Sequence, residues 1–363
     1  MDGAVKPPAT SVDVARLAGV SQSAVSRAFT PGASVSPRMR KRVEDAAARL
    51  GYQPNAHART LTTGRSRIVG LVLSSLDNLL YPAVTEKLAL RLQQDGYHLL
   101  MFVSDQRDSD DLVREILQYR VDGIVLGATT LSSGLARRCA QARIPVVLFN
   151  RVMAASGVVS SVRSDNVGGA AEIARFLVAG AHRRIAYVAG REDSSTNLER
   201  ERGFTEGLAA LGHVVCARAV GDYAVEGARR ATLALFGGGA GVRPDAVFVA
   251  GDLMALSVMD TLRYELGLRV PQDVSVVGFD GVPQAAWPSY RLTTFEQPVG
   301  DMVEAAVDLL HRSLVDGHGN GGDTGDTGDT GALAAAPARD VIVPGRLVVR
   351  ASARAPTDAL ETP

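Results

Sequence analysis

Residues 10–29 of the 363-residue chain read TSVDVARLAGVSQSAVSRAF, and this stretch decides what the amino-terminal part of the fold can be. Thr10, with an acidic residue three positions later, has the spacing of a capping box, which predicts a helix over Val12–Ala18. Gly19 is expected to end that helix, because glycine reaches the left-handed backbone conformation without steric cost. A second short helix is predicted over Gln22–Phe29, and two helices across a glycine turn are typical of a helix-turn-helix motif.

The second helix is predicted to have an apolar and a polar face, since successive residues lie about 100° apart around a helix. Ser21 has the residue type and position of its cap. The apolar face consists of Ala24, Val25 and Ala28. The polar face consists of Gln22, Ser23, Ser26 and Arg27. Such a face can enter the major groove of double-stranded DNA, where Gln22, Ser23 and Arg27 would meet base edges.

A third helix is predicted to begin at Ser36 and Pro37, a cap followed by proline, and to end at Gly51. Four cations lie in its first turns: Arg38, Arg40, Lys41 and Arg42. A charge run of this kind, taken alone, is equally consistent with a solvated helix face. Beside a helix-turn-helix motif it favours contacts with DNA phosphates, which add affinity but little sequence information.

The net charge of zero hides an uneven distribution along the chain. Residues 1–65 hold 10 Lys and Arg against 4 Asp and Glu, whereas the remaining 298 residues hold 29 against 35. A basic head therefore precedes an acidic body, which indicates an anionic partner for the head.

The rest of the composition argues against several classes of protein. Two cysteines cannot form a disulfide framework and fit a reducing compartment, which favours the cytoplasm. Residues 1–10 lack an apolar signal region, and no apolar run approaches the roughly 18 residues of a membrane span. The six histidines are scattered, and no Walker A loop, HExxH or GxSxG motif is present. We therefore expect no metal, no cofactor, no membrane partner and no enzyme.

From Ser66 onward, short apolar runs alternate with stretches of helical periodicity. The apolar runs resemble parallel strands that are buried on both faces: Ile68–Leu73, Leu99–Val103, Gly123–Leu126, Val146–Phe149, Ile185–Val188, Val247–Ala250 and Val274–Phe279. The helical stretches between them are Ala83–Gln94, Leu112–Tyr119, Val167–Val178, Leu198–Leu211 and Leu253–Leu266. This alternation predicts open α/β sheets with crossover helices, in which ligands bind at the carboxyl ends of the strands.

Three segments of the head together resemble the DNA-binding headpiece of the lactose-repressor (LacI/GalR) family: residues 10–21 (TSVDVARLAGVS), 25–27 (VSR) and 50–55 (LGYQPN). The likeness is nearly gapless over about fifty residues. It implies a sequence-specific transcriptional regulator, most simply a repressor, that binds operator DNA as a homodimer. It also implies that Thr10, Ser21 and Tyr52 belong to the DNA-binding set with the polar face of the second helix.

Residues 55–61 (NAHARTL) resemble the hinge helix of that family, which implies DNA contacts by Asn55, Ala58 and Leu61. In the family this segment becomes helical when two copies lie together in the minor groove. Seven residues are too few for a stable isolated helix in water, which agrees with that behaviour. Ala58 is small enough for two such helices to approach closely, and Leu61 could insert between base pairs. The alternative for Leu61 is a linker residue that packs on the body.

The resemblance continues through the body and implies a two-lobed, periplasmic-binding-protein-like α/β fold behind the helix-turn-helix headpiece. Its most specific stretches are residues 273–280 (DVSVVGFD), 292–294 (LTT) and the closing strand 343–352. The implied division is a headpiece at 1–53, a hinge at 54–65, a first lobe at 66–163 and 297–315, a second lobe at 164–296 and 339–352, and a flexible insertion at 316–338. The Gly-Asp-Thr repeats of that insertion have a period of three, which fits neither kind of calcium-binding repeat.

A cleft between the lobes is expected to hold a small metabolite such as a sugar or sugar acid. The candidate contacts follow predicted strands: Ser74, Tyr81, Asn150, Arg151, Thr196, Arg200, Tyr223, Asp252 and Asp280. The resemblance implies hydrogen bonds to the effector from Asn150, Arg200 and Asp280, and aromatic walls at Tyr81 and Tyr223. The alternative for Arg200 and Asp280 is an ion pair that does not touch the ligand. Gly251 replaces an asparagine of several sugar-responsive members, which argues against a simple galactoside.

Two other functions remain open on the same α/β body. An enzyme would need a nucleophile and base, and the sequence shows no such pair at a recognisable spacing. A solute-binding protein would leave the basic head without a purpose. The short tail after Ala351 has no leucine heptads, which favours a dimer over a tetramer.

Overall fold

The structure is a computed structural model that describes residues 9–30, 32–53, 65–104, 108–127, 132–153, 159–239, 243–316 and 338–356. The chain divides into two compact units, residues 1–66 and 67–363. We call the first unit the headpiece and the second unit the body.

The described part of the headpiece contains three helices, α1 (Ser11–Ala18), α2 (Gln22–Ala28) and α3 (Pro37–Leu50). The predicted capping box begins α1, and the predicted left-handed glycine ends it with φ of 61°. Both short helices are therefore confirmed to within one residue at each end. Their core is built from small side chains: Val14, Ala15, Ala18, Val25, Ala28, Val43, Ala46 and Ala47. Because most of these side chains are alanines, the three helices pack closely. Helices α1 and α3 thereby hold α2 by its apolar face.

The described part of the body contains two six-stranded sheets. The first-lobe sheet has the order β11-β5-β4-β3-β1-β2 and is entirely parallel: β1 (Ile68–Leu73), β2 (His98–Val103), β3 (Gly123–Gly127), β4 (Val146–Phe149), β5 (Ser160–Ser164) and β11 (Asp340–Val343). The second-lobe sheet has the order β12-β10-β9-β8-β6-β7, with only β12 antiparallel: β6 (Ile185–Ala189), β7 (Ala217–Val220), β8 (Ala246–Val249), β9 (Ser275–Asp280), β10 (Thr293–Glu296) and β12 (Arg346–Val348).

Helices connect successive strands and cover the sheets, as predicted for crossover connections. They are α4 (Leu80–Gln94), α5 (Ser109–Leu117), α6 (Ser133–Gln141), α7 (Asn166–Ala179), α8 (Ser195–Ala209), α9 (Val225–Phe236), α10 (Asp252–Asp260) and α11 (Val299–Asp316). A π-helical turn at Thr261–Glu265 extends α10, and a 3₁₀ turn occupies Pro283–Ala286. The elements that the sequence patterns missed include α6, α9, β5, β7 and β10.

Within the described residues the chain crosses between the lobes three times, and the third crossing lies at a different place from the lobe boundary predicted above. Residues 339–352 were expected to lie wholly in the second lobe, but Asp340–Val343 pairs in parallel with β5 of the first lobe. Only after Pro344 and Gly345 does the chain reach the second sheet, where Arg346–Val348 pairs with β10. This part of the domain prediction is wrong, because a proline and a glycine split one apparent strand into two. The insertion expected at 316–338 lies almost entirely outside the described residues.

The described residues contain no helix that is long and apolar enough to cross a membrane. The same residues contain no group of three or more His, Cys, Asp or Glu side chains arranged to hold a metal ion.

Candidate nucleic-acid interface and ligand cleft

Helix α2 presents its polar residues to solvent and buries its apolar ones, as the 100° periodicity predicts. Gln22, Ser23, Ser26 and Arg27 are exposed. Ala24, Val25 and Ala28 are buried against α1 and α3. The exposed face consists of hydrogen-bonding groups and one cation on a packed scaffold, which is the chemistry that base-edge readout requires.

Local hydrogen bonds already engage part of the predicted DNA-binding set. Thr10 exchanges hydrogen bonds with Asp13 in the capping box, and the Ser21 hydroxyl accepts from the Ala24 amide at 3.2 Å. Nε2 of Gln22 donates to the Ser11 hydroxyl at 2.9 Å, which ties the start of α2 to the start of α1. These side chains are held in fixed positions at the headpiece surface.

Two of the four cations of α3 make hydrogen bonds within the headpiece that the sequence pattern did not predict. Arg40 donates to the Ala28 carbonyl oxygen at 2.5 Å, and Arg42 donates to the carbonyl oxygens of Ala18 and Gly19. They cap the carboxyl ends of α2 and α1, where helices leave carbonyl groups unsatisfied. That the cations of α3 face phosphates stays a prediction, and these two also stabilise the headpiece itself.

After α3, the structure describes the headpiece at residues 51–53 and again at residues 65–66. Tyr52 is half-buried and packs against Phe29, with ring centroids 6.1 Å apart, so its ring belongs to the headpiece core. The predicted hinge contacts Asn55, Ala58 and Leu61 lie outside the described residues.

In the body, a cleft of about 1020 Å³ is lined by residues of both lobes. Eight of the nine predicted effector contacts line it: Ser74, Tyr81, Asn150, Arg151, Thr196, Arg200, Tyr223 and Asp280. They converge because the carboxyl ends of parallel strands share one edge of each sheet. The burial of Tyr81 raises the pKa of its hydroxyl group, which therefore stays protonated and able to donate a hydrogen bond at neutral pH.

Arg200 lies at the second-lobe floor of the cleft and is only 2% exposed. Its NH2 group lies 3.2 Å from Oδ1 of Asp280, its Nε donates to Asn166, and its NH1 donates to the Ala250 carbonyl oxygen. The guanidinium plane also lies 3.8 Å from the centre of the Phe279 ring. These partners on four sides fix the direction in which Arg200 can meet a ligand.

Asp280 ends β9 with φ of 135°, a backbone strain that is common at functional sites. Its carboxylate is 4% exposed and also accepts a hydrogen bond from Gln297 at 2.6 Å. Burial raises the pKa of this carboxyl group, and Arg200 opposes that rise. Asn150, at the end of β4, likewise has a positive φ of 58°. Gln297, which lies on a crossover outside any predicted strand, was missed by the sequence patterns.

Asp252 is the one predicted contact that does not line the cleft. It is fully buried, its Oδ2 accepts from the amides of Gly281 and Val282, and its Oδ1 accepts from the Thr294 hydroxyl at 2.6 Å. Burial, together with the nearby Asp280 charge, raises the pKa of this carboxyl group to about 7. Its predicted role as an effector contact is corrected to holding the loop that follows β9.

Tyr223 lies in the cleft over two glycines. A Cβ atom on Gly190 would overlap its ring, and a Cβ atom on Gly251 would lie 3.4 Å from it. The Tyr223 hydroxyl lies 3.3 Å from that of Thr196. Gly190 therefore makes room for the aromatic ring, whereas a side chain at Gly251, noted above as a departure from several family members, would only touch it.

The first turn of α8 also bonds across the cleft to the first lobe. Arg151 donates to the Thr196 hydroxyl at 2.9 Å, and the Val152 amide donates to the Ser195 hydroxyl at 3.4 Å. The sequence patterns did not single out Ser195, although the run Ser194-Ser195-Thr196 close after β6 is the available signal.

Two known families match the chain. Residues 11–55 match the family described as bacterial regulatory proteins, lacI family, and residues 174–353 match the periplasmic binding protein-like domain. HTH-type transcriptional regulator CelR of Thermobifida fusca is 33% identical over 294 residues, which cover 78% of this chain and 86% of CelR. The chain belongs to the LacI family. The ribose operon repressor of Escherichia coli strain K12, another LacI-family protein, is 30% identical over 84% of this chain and 93% of its own length.

Solved LacI-family structures share the fold. The lac repressor dimer bound to operator and the anti-inducer ONPF matches with a TM-score of 0.80 at 27% identity, over 96% of this chain and 100% of that chain. A complex of CelR with cellobiose matches with a TM-score of 0.65 at 27% identity, with the same coverage. The predicted family and fold class are confirmed, and the chain is a DNA-binding transcriptional regulator. Its LacI-family relatives are regulators and not enzymes.

Proposed function

We propose that this LacI-family regulator represses transcription by binding a near-palindromic operator as a homodimer, under the control of a sugar-class metabolite in the body cleft. Helix α2 of each protomer enters the major groove of one half-site, where Gln22, Ser23 and Arg27 contact base edges. The observation that carries this proposal is the exposure of these three side chains on a helix whose opposite face is buried in the headpiece core.

Exposed apolar side chains on the body support the homodimer. Tyr264 is 80% exposed and Trp287 is 54% exposed on the second lobe. On the first lobe, Leu90 and Met101 are exposed, and Met101 lies on β2 at the edge of its sheet. Covering these side chains would remove apolar area from water, and an edge strand offers unpaired backbone groups for pairing. A second copy of the chain that covers them would give the two-fold symmetry that matches a palindrome.

The cleft supports a hydroxylated ligand. Arg200 and Asp280 supply fixed donors and acceptors, and the hydroxyl groups of Ser194, Thr196 and Tyr223 form a connected set beside them. Aromatic rings and paired polar groups together suit the apolar faces and hydroxyl groups of a sugar. The relatives point the same way, since one is a ribose operon repressor and another is bound to cellobiose.

Binding without turnover, in the cytoplasm, completes the proposal. The described residues that line the cleft include no histidine, so no serine there lies against a histidine base. Two cysteines and DNA as the partner both suit the cytoplasm. Consumption of any bound sugar by the purified protein would favour the enzyme alternative.

The operator half of the proposal is tested by selecting bound sequences from random double-stranded DNA with the full chain. A two-fold-symmetric motif is expected, and the combined Gln22→Ala and Ser23→Ala variant should select a different one. Lys41→Ala removes an exposed cation of α3 and is the matched control, because loss of a phosphate contact weakens binding without changing the motif. Enrichment of no motif, or the same motif from the double variant, contradicts the proposal.

The effector half is tested by thermal unfolding in the presence of sugars, including cellobiose and D-ribose. A sugar that binds the folded state raises the melting temperature by mass action. Thr196→Val removes a cleft hydroxyl and should reduce the shift. Thr205→Val, on the exposed side of the same helix, should leave it unchanged. Equal shifts in both variants would place the sugar outside the cleft.

A further inference from the structure

An ion pair joins the two lobes at the crossovers, apart from the residues that line the cleft. Arg163 lies on β5 of the first lobe and Glu199 lies on α8 of the second lobe. Nε of Arg163 lies 3.1 Å from Oε1 of Glu199, and the two side chains are only 14% and 16% exposed. We call these two residues the hinge pair.

The hinge pair is connected to the cleft by one buried amide. Asn166, at the start of α7 directly after the first crossover, is 1% exposed. Its Nδ2 donates to Oε2 of Glu199 at 2.9 Å, and its Oδ1 accepts from Nε of Arg200 at 2.9 Å. Arg200 in turn contacts Asp280 in the cleft. An unbroken series of hydrogen bonds therefore runs from the cleft floor to the hinge pair.

The same guanidinium group also holds the third crossover. NH2 of Arg163 lies 3.0 Å from Oδ2 of Asp340 on β11, and the Ser161 hydroxyl donates to the same carboxylate. Strand β11 ends three residues before the chain enters the second lobe at Arg346. Arg163 thus contacts two elements at once: β11, the strand just before the third crossover, and α8, a helix of the second lobe.

We propose that Arg163 and Glu199 are positioning residues that couple the state of Arg200 in the cleft to the angle between the lobes. Arg163 and Glu199 lie on different lobes, so a change in the angle between the lobes changes the distance between their side chains. A ligand that shifts Arg200 shifts Asn166, and through it the carboxylate of Glu199. This inference rests on the proposed effector function for its biological meaning, but the coupling itself is a property of the free protein.

The same contacts would be present if Arg163 and Glu199 only stabilised their immediate surroundings. The test must therefore detect whether a substitution in one lobe changes the other lobe. Hydrogen–deuterium exchange of the full-length protein without added ligand reports local opening along the chain. Arg163→Gln is expected to speed exchange about fivefold or more in the first two turns of α8, in the opposite lobe. In the other direction, Asp280→Asn in the cleft is expected to speed exchange in β5. The double variant should fall short of the product of the two single effects, because both act on one series of bonds.

A second Arg–Glu pair on the same helix provides the matched control. Arg218 on β7 lies 2.6 Å from Glu201 on α8, and both residues belong to the second lobe. Arg218→Gln should change exchange near β7 but leave β5 unchanged. Exchange in α9 serves as the reference for any general loss of stability.

The outcome decides between coupling and local support. The proposal is wrong if Arg163→Gln speeds hydrogen exchange only within β5 and β11. It is also wrong if the change in exchange rate in the double variant equals the product of the changes in the two single variants. Failure of the proposed effector function would give a different result. The variants would still change hydrogen exchange in the opposite lobe, but no sugar would change DNA binding.

Discussion

Replacing Arg200 by alanine should destabilise the body strongly and in a pH-dependent way. The change removes a guanidinium that is 2% exposed and leaves the Asp280 carboxylate buried without its cation. Breaking a buried ion pair by removing one partner typically costs about 3–5 kcal/mol. That is a large share of the roughly 5–15 kcal/mol that stabilises a typical domain, so the variant should unfold at a much lower urea concentration.

The sign of the pH dependence follows from the remaining carboxyl group. Burial already raises the pKa of Asp280, and Arg200 opposes that rise, so the variant should have a still higher pKa there. A carboxyl group whose pKa is higher in the folded than in the unfolded state destabilises the fold increasingly as pH rises through that range. The loss of stability should therefore be larger at pH 8 than at pH 5.

Urea unfolding of the wild type and of Arg200→Ala at both pH values measures this directly. The double variant Arg200→Ala with Asp280→Asn should recover part of the loss at pH 8, because the unpaired charge is then absent. A single variant as stable as the wild type at both pH values would refute the view that this pair is buried and mutually dependent.

Three further predictions concern other parts of the chain. The raised pKa of about 7 at Asp252 means that ionisation of this carboxyl group lowers the stability of the fold as pH rises from about 4 to 7. Asp252→Asn should therefore make stability depend less on pH in this range. An unchanged pH profile in urea unfolding would contradict this. Arg42→Ala should lower the free energy of headpiece unfolding by about 1 kcal/mol through loss of the α1 cap, whereas Lys41→Ala should leave it nearly unchanged, as measured by thermal denaturation. Gly190→Ala should displace the Tyr223 ring and weaken effector binding about tenfold or more in calorimetry while operator affinity stays constant; equal effector affinity would mean that the ring does not form the cleft floor.

The features that sequence patterns predicted well are those set by local chemistry. The capping box, the left-handed Gly19 and the two faces of α2 depend on neighbours within about four residues, and all appear as expected. The apolar runs predicted most of the strands, because strands of a parallel sheet are buried on both faces. Since such strands present their carboxyl ends together, most of the cleft residues could also be anticipated.

The features that were missed depend on partners far away in the chain. Asp252 and Asp280 both follow buried strands. The partners that make Asp252 a structural group, among them the hydroxyl of Thr294, lie 29 to 42 residues further along the chain. A run of cations on α3 does not reveal that Arg40 and Arg42 turn back to cap other helices. The hinge pair joins side chains from different lobes and has no linear signature.

The central claim is that the headpiece binds a specific operator and that a ligand in the body cleft controls this binding. The most direct measurement is the affinity of the purified full-length protein for its selected operator and for random DNA at fixed salt, with and without a sugar that raises its melting temperature. The account predicts an operator preference of about a thousandfold or more, and a change of about fivefold or more when the sugar is added, absent in Thr196→Val. Equal affinity for operator and random DNA, or an operator affinity that no bound sugar alters, would contradict it.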